Sequence, residues 1–282
     1  MPPAAAAAVA ALRGTPVGLP PGAARPPTIV LAGDSLTEFG GADAGGWATR
    51  LAAHYARRAD VLVRGYAGYN SRWLLRLLPR VLAPLPDVRL VTLLVGSNDA
   101  VAASADQAVP LSEFVDNLAR LVGAVRRAGA QPLLLSPPPV AGATWAAACA
   151  ARGKGNGDGR RVALVRVYAR AVVRVGERLR VPVVDLFGEM RARAVAAVGA
   201  DAGEVAVDAA TEAAAEAQLL ADDGLHLGPA GHAYVFERVV EVVRARAPTV
   251  DADALPRFAP EWRELVGAAA LDRQLGARLP DG

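Results

Sequence analysis

Residues 28–41 read TIVLAGDSLTEFGG. A β-branched and aliphatic run, Thr28–Ala32, is cut by Gly33, and a serine stands two places later beside Asp34. Short apolar runs bounded by glycine suit a buried strand, so the chain turns at Gly33 and a polar pair follows the turn. Two readings of that pair compete. Asp34 or Ser35 caps a helix, or Ser35 is a nucleophile held at the rim of a sheet.

Working outward, aliphatic runs alternate with longer amphipathic ones. Strands are expected at Thr28–Ala32, Val61–Val63, Leu90–Val95, Pro132–Ser136 and Val181–Val184, and helices around Gly46–Arg58, Ser71–Leu82, Ser112–Ala128, Arg161–Leu179 and Phe187–Val198. Strands separated by helices of this length imply right-handed crossovers and a parallel sheet covered on both faces. The expected fold is therefore a three-layer α/β/α sandwich on a five-stranded parallel sheet. Two segments break the rhythm. The Gly-rich stretch 146–161 is read as a flexible surface insertion, and the Ala/acid run 199–217 as a second insertion of helical character. The chain divides into a Pro/Ala-rich lead (1–26), one domain (27–247) and a C-terminal arm (248–282) expected to pack Phe258 and Trp262 on the body.

At 282 residues the chain is long enough to bury a substantial core. Its 53% hydrophobic content is inflated by alanine, and no run approaches the roughly 18 apolar residues of a membrane span. The net charge is +3, with Lys154 the lone lysine among many arginines and no interleaving of basic and aromatic residues, so no nucleic-acid partner is expected. The lone Cys149 excludes an internal disulfide, and with His54, His226 and His232 the only histidines there is no Cys/His metal spacing; no metal and no cofactor are expected. The lead lacks the positive charge of a secretory n-region, and a cytoplasmic location is expected, with organelle targeting by the acid-free lead left open. Oligomeric state is not legible.

In a parallel sheet the loops after the strand C-termini line one edge, where ligands bind. Here those loops read GDSLT after the first strand, GYAGYNSRW after the second, GSNDA after the third and SPPP after the fourth, and a polar turn, LADDGLHLGPAGH, comes far downstream. Capping explains any one of them and strains to explain the set. Acyl transfer would need them together, since a serine hydroxyl is a weak nucleophile until a neutral imidazole accepts its proton and a carboxylate orients that imidazole. His54 has the spacing of a helix flank and His232 a structural place at the start of the last helix. His226 follows Asp223 by three residues, which lets the carboxylate reach Nδ1 and leaves Nε2 facing the sheet edge. Oxyanion donors are then the N–H of Ser35, the N–H of Gly68 and the side-chain amide of Asn98.

GDSL at 33–36, Gly68, GSND at 96–99 and DGLH at 223–226 resemble, in order, the blocks of the SGNH (GDSL) hydrolase superfamily, and GYNSRW, QAVPLSEFVDNL, SPPP and DGLHL resemble its isoamyl acetate-hydrolysing esterase branch. The resemblance implies a flavodoxin-like strand order 2-1-3-4-5. It also implies Ser35 as nucleophile, His226 as base, Asp223 as its orienter and an oxyanion hole of Ser35, Gly68 and Asn98. The neighbouring Asp222 leaves a small ambiguity that the D-x-x-H spacing resolves toward Asp223. The implied activity is hydrolysis of short-chain carboxylic esters, acetate esters of small alcohols first among them, through an acyl-enzyme and with a small-molecule ester as partner. Carbohydrate O-deacetylation, thioester hydrolysis and a non-catalytic binding module on the same scaffold are the competing readings. Leu36, Phe39, Trp73, Val101 and Leu227 are compatible with an apolar alcohol in the site and equally with a place in the core. There is no G-x-S-x-G elbow, no second acid beside Asp34 for phosphoryl transfer and no G-x-x-x-x-G-K cradle.

Overall fold

The computed structural model describes residues 25–42, 44–155, 157–259 and 261–266. All of the N-terminal lead before Arg25 and the end of the arm lie outside the described residues. Five parallel strands, β1 (Thr28–Gly33), β2 (Asp60–Gly65), β3 (Val88–Leu94), β4 (Gln131–Leu135) and β5 (Val183–Val184), form one sheet in the order β2-β1-β3-β4-β5. Among the described residues the helices are α1 (Ser35–Ala42), α2 (Trp47–His54), α3 (Ser71–Leu82), α4 (Leu111–Arg127), α5 (Gly142–Ala151), α6 (Val162–Leu179), α7 (Leu186–Val198), α8 (Glu204–Gln218) and α9 (Pro229–Arg246). The fold is the expected three-layer α/β/α sandwich.

The period of two along each strand divides the core in two. Val30, Ala32, Val91, Leu93 and Leu134 point to one face, where Leu74 and Leu78 of α3, Phe114 and Leu118 of α4 and Val165 and Val172 of α6 cover them. Ile29, Leu31, Leu90, Leu94, Leu133 and Leu135 point to the other, under Trp47 and Leu51 of α2, Met190 of α7, Ala215 of α8 and Val235 and Val239 of α9. Leu31 and Leu93 are fully buried, and each such side chain contributes about 2 kcal/mol by leaving water. With both faces covered, the loops at the strand C-termini form the edge where polar groups gather for a ligand.

β5 is shorter than the expected Val181–Val184. Pro182 has no N–H to give the ladder and takes part only through its carbonyl, which accepts from Leu134 N at 3.0 Å. The run 199–217 has the helical character expected of it, as α8, which buries Val207, Thr211 and Ala215 on one side; its buried Asp208 receives Arg191 Nη1 at 3.0 Å and Arg166 Nη1 at 3.3 Å. The arm is fastened by Tyr55 and Arg58 as well as by Phe258. Tyr55 Oη donates to Val250 O at 2.8 Å and Arg58 Nη1 to Leu255 O at 2.5 Å, and Phe258 is half-buried with its N–H on Arg57 O, whereas Trp262 stays 66% exposed.

Candidate active site

The turn that opens on Gly33 is compressed. A Cβ at Gly33 would lie 2.4 Å from Leu94 O, and one at Gly65, its partner across the ladder, 2.0 Å from Glu38 N, so both glycines are required for α1 to start hard against the sheet. Asp34 does the capping: its Oδ1 accepts Leu36 N at 2.9 Å and its carbonyl accepts Thr37 N and Glu38 N. Ser35 is thereby released from the capping role and turns its hydroxyl to the sheet edge. Its Oγ lies 3.1 Å from His226 Nε2.

His226 is held from behind. Asp223 Oδ2 is 2.7 Å from Nδ1, while Asp223 Oδ1 accepts the backbone N–H of Leu225 at 3.0 Å and of His226 at 2.9 Å. Gly224, with φ +74°, lets the chain double back, and the turn is closed by the Leu220–Leu227 bridge and by Ala141 N on Gly224 O. Burial alone would raise the Asp223 carboxyl, but the hydrogen bonds from the imidazole and the two backbone N–H groups outweigh it and hold the group well below the usual carboxylate range. Asp223 is therefore ionised throughout the neutral range. The imidazole is flanked by Phe39 at 4.9 Å and by the edge of Trp145 at 5.9 Å between centroids.

Asn98 stands at the end of β3. Its Nδ2 donates to Tyr69 O at 2.8 Å and its Oδ1 accepts Arg160 Nη2 at 2.7 Å. Gly68, at φ +81°, has its carbonyl tied to Gln107 Nε2 at 2.6 Å. Beneath the edge lie two buried acids. Burial pushes Asp34 up to about 6, against the opposing Leu36 N–H and Arg160 charge, and Asp99 up to about 7, against its bonds from Ser71. Ser35, Gly68, Asn98, Asp223 and His226 all border one cleft of about 800 Å³. A chain of serine, imidazole and carboxylate facing amide donors can move a proton off a hydroxyl and receive negative charge on a carbonyl oxygen.

His54 is not part of this group; its ring packs edge-on against Tyr55 and Phe236. His232 is buried at the start of α9, and Asp222 is exposed. Of the five apolar residues read as either site or core, Phe39 borders the cleft. Leu36, Val101 and Leu227 are core, and Trp73 packs on Tyr69. The apolar lining comes instead from Trp145 and Leu225. The opposite wall is built from the stretch 146–161, expected to be a flexible surface insertion. Cys149, Arg152, Lys154, Gly157, Asp158 and Arg160 line the cleft, and the Arg160 side chain is only 3% exposed. A composition of glycine and charge reads as loop; it hides one arginine that the loop folds inward.

Comparison with known proteins is consistent with this arrangement. Residues 31–234 match the model of the GDSL-like Lipase/Acylhydrolase family. The isoamyl acetate-hydrolyzing esterase 1 homolog of Bos taurus is 32% identical over 251 residues, 86% of this chain and 89% of that protein. The isoamyl acetate-hydrolyzing esterase of Saccharomyces cerevisiae is 27% identical over 84% of this chain and 94% of its own length. Among solved structures, an alpha/beta hydrolase enzyme from the metagenome of Lake Arreo superposes with a TM-score of 0.54 at 23% identity, over 78% of this chain and 96% of that one.

Proposed function

The chain belongs to the GDSL-like lipase/acylhydrolase family and is a carboxylic ester hydrolase, and we propose that it cleaves acetate and other short-chain esters of small alcohols with Ser35 as nucleophile. The observation that carries this reading is the unbroken relay from Ser35 Oγ to His226 Nε2 at 3.1 Å and from His226 Nδ1 to Asp223 Oδ2 at 2.7 Å, opening on a cleft shared with Gly68 and Asn98. Ser35 Oγ attacks the ester carbonyl as His226 Nε2 takes its proton, and the imidazolium is stabilised by ionised Asp223. The oxyanion is met by the N–H groups of Ser35 and Gly68 and by the Nδ2 hydrogen of Asn98 that Tyr69 does not use. His226 returns the proton to the departing alkoxide, and the same imidazole then activates the water that releases the acid.

Phe39, Trp145 and Leu225 give the cleft an apolar side fitted to an alcohol with a short hydrocarbon chain. The names of the relatives point the same way. The test is Ser35→Ala on p-nitrophenyl acetate. Turnover should disappear with the thermal unfolding curve unchanged, and most of the activity surviving would exclude Ser35 as nucleophile.

A further inference from the structure

Arg160 is the least exposed cation on the cleft, and each of its three guanidinium nitrogens makes a hydrogen bond. Nη1 donates to Ser97 O, Nη2 to Asn98 Oδ1 at 2.7 Å and Nε to Asp158 Oδ2 at 2.9 Å, while its carbon sits 5.6 Å from the centroid of the Trp145 ring. Asp158 in turn accepts the Trp145 indole N–H at 3.2 Å. We infer that Arg160 is a positioning residue for ester hydrolysis, acting through Asn98, whose amide it holds with Nδ2 toward the cleft and whose donor strength it raises.

A primary amide can be turned over, exchanging its oxygen for its nitrogen. Guanidinium has donors and no acceptor, so the group facing it must be Oδ1. The carbonyl of Tyr69 has the opposite demand and takes one Nδ2 hydrogen. Together they leave the second Nδ2 hydrogen for the cleft. A charged donor on Oδ1 also draws electron density away from the amide nitrogen, so the remaining N–H becomes a stronger donor, an effect enlarged where water is excluded. The gain is greatest when a full negative charge forms on the bound carbonyl oxygen, so Arg160 should act on the transition state and leave substrate binding nearly untouched. The bond to Ser97 O fixes the backbone of the same loop. None of this requires Arg160 to touch the ester.

The inference rests on the oxyanion role proposed for Asn98, and a double-mutant cycle separates the two. Arg160→Gln should lower kcat on p-nitrophenyl acetate about tenfold to a hundredfold, the loss of one charge-assisted bond, with KM within about threefold. Asn98→Ala should lower it about a hundredfold to a thousandfold. The pair together should be no slower than Asn98→Ala alone, because the effect inferred for the arginine runs through the Asn98 amide. A trifluoromethyl ketone, which forms an oxyanion on binding, should lose affinity in proportion to kcat. Multiplying losses, or a rise confined to KM, would overturn the inference while leaving the oxyanion hole standing. Asn98→Ala with full activity would remove both. If Arg160→Gln does not fold, Arg160→Lys carries the cycle, and full activity of a lysine that cannot span both acceptors counts against the geometry argued here.

Discussion

On one side of the cleft Ser35, Gly68 and Asn98 stand where three neighbouring strands end, whereas on the other Trp145, Cys149, Asp158 and Arg160 come from a helix and a glycine-rich return. The first side owes its geometry to the sheet. Gly33 pairs with Gly65 and with Leu94, so the loops leaving β1, β2 and β3 start in register and their side chains arrive together. The second side has no ladder to fix it and is held by side chains: Arg160, Asp158 and Trp145 bond one another and reach across to Ser97 and Asn98. In the proposed mechanism the sheet edge supplies the nucleophile and the oxyanion donors, and the return tunes them. Substitutions on the two sides should therefore differ in kind as well as in size.

After the nucleophile itself, the largest effect is expected behind the sheet edge, at Asp223→Asn. Asn can keep its oxygen on the N–H groups of Leu225 and His226, so the turn survives, but its nitrogen then faces Nδ1. That stabilises the tautomer with Nδ1 unprotonated and Nε2 protonated, which cannot accept the Ser35 proton. A fall in kcat of about ten-thousandfold with intact folding is expected. A loss of less than about tenfold would mean the carboxylate does not orient the base.

Asp34 gives the next largest effect, on stability instead of rate. Burial raises its carboxyl to about 6, so the folded state resists its ionisation. The sign follows from the linkage between protonation and folding. The contribution of protonated Asp34 is fully present below its unfolded value of about 4 and is lost as pH rises through about 6. Asp34→Asn keeps an acceptor for Leu36 N and cannot ionise, so it should unfold at higher urea than the parent at pH 8, by about 3 kcal/mol, and show no advantage at pH 4. Equal stability of the two proteins at pH 8 would mean that burial of this carboxylate is relieved by groups beyond Leu36 and Arg160. Asp158, across the cleft, has a cation against it at 2.9 Å, and the same exchange there should not stabilise.

The two sides also differ in how far they can be read from sequence. Strand ends show as aliphatic runs closed by glycine, and the motif residues follow within two or three positions, so Ser35, Gly68, Asn98 and the Asp223–His226 turn were all legible. The strand order rested on the likeness of those blocks to a known family and not on periodicity. Arg160 was not legible, because burial of one arginine depends on contacts with Ser97 and Asn98 some 60 residues away. The only local sign was that Gly153, Gly155, Gly157 and Gly159 alternate, each with positive φ in the structure, which marks a path that side chains could not follow. The Ala/acid run of α8 was read as helical but its buried side was not, because alanine packs against a neighbouring helix without a conspicuous apolar stripe. Pro182 was visible in the sequence, but the strand was still read as Val181–Val184; the missing donor at Pro182 is the physical reason β5 is shorter.

Trp145→Ala probes the return directly. The indole flanks His226 and holds Asp158, so its loss should lower kcat/KM about tenfold, chiefly through KM, and should change the relative rates on 3-methylbutyl and ethyl acetate if the proposed alcohol side of the cleft is correct. An unchanged preference would place the alcohol elsewhere, against Phe39 or Leu225.

The smallest effects separate position from conformation within the return itself. Gly155 and Gly159 have nearly the same backbone, φ +66° and +70°, but a Cβ on Gly155 meets nothing within 4 Å while one on Gly159 falls 2.7 Å from Ala102 Cβ. Alanine at 155 should cost about 1 kcal/mol of stability for the left-handed backbone and leave kcat within about twofold. Alanine at 159 carries the same backbone cost and must also push Arg160, the next residue, away from Asn98, so its loss should fall more on kcat than on stability. If both variants keep full activity, the return does not transmit strain to Asn98, and its influence on the sheet edge is confined to charge.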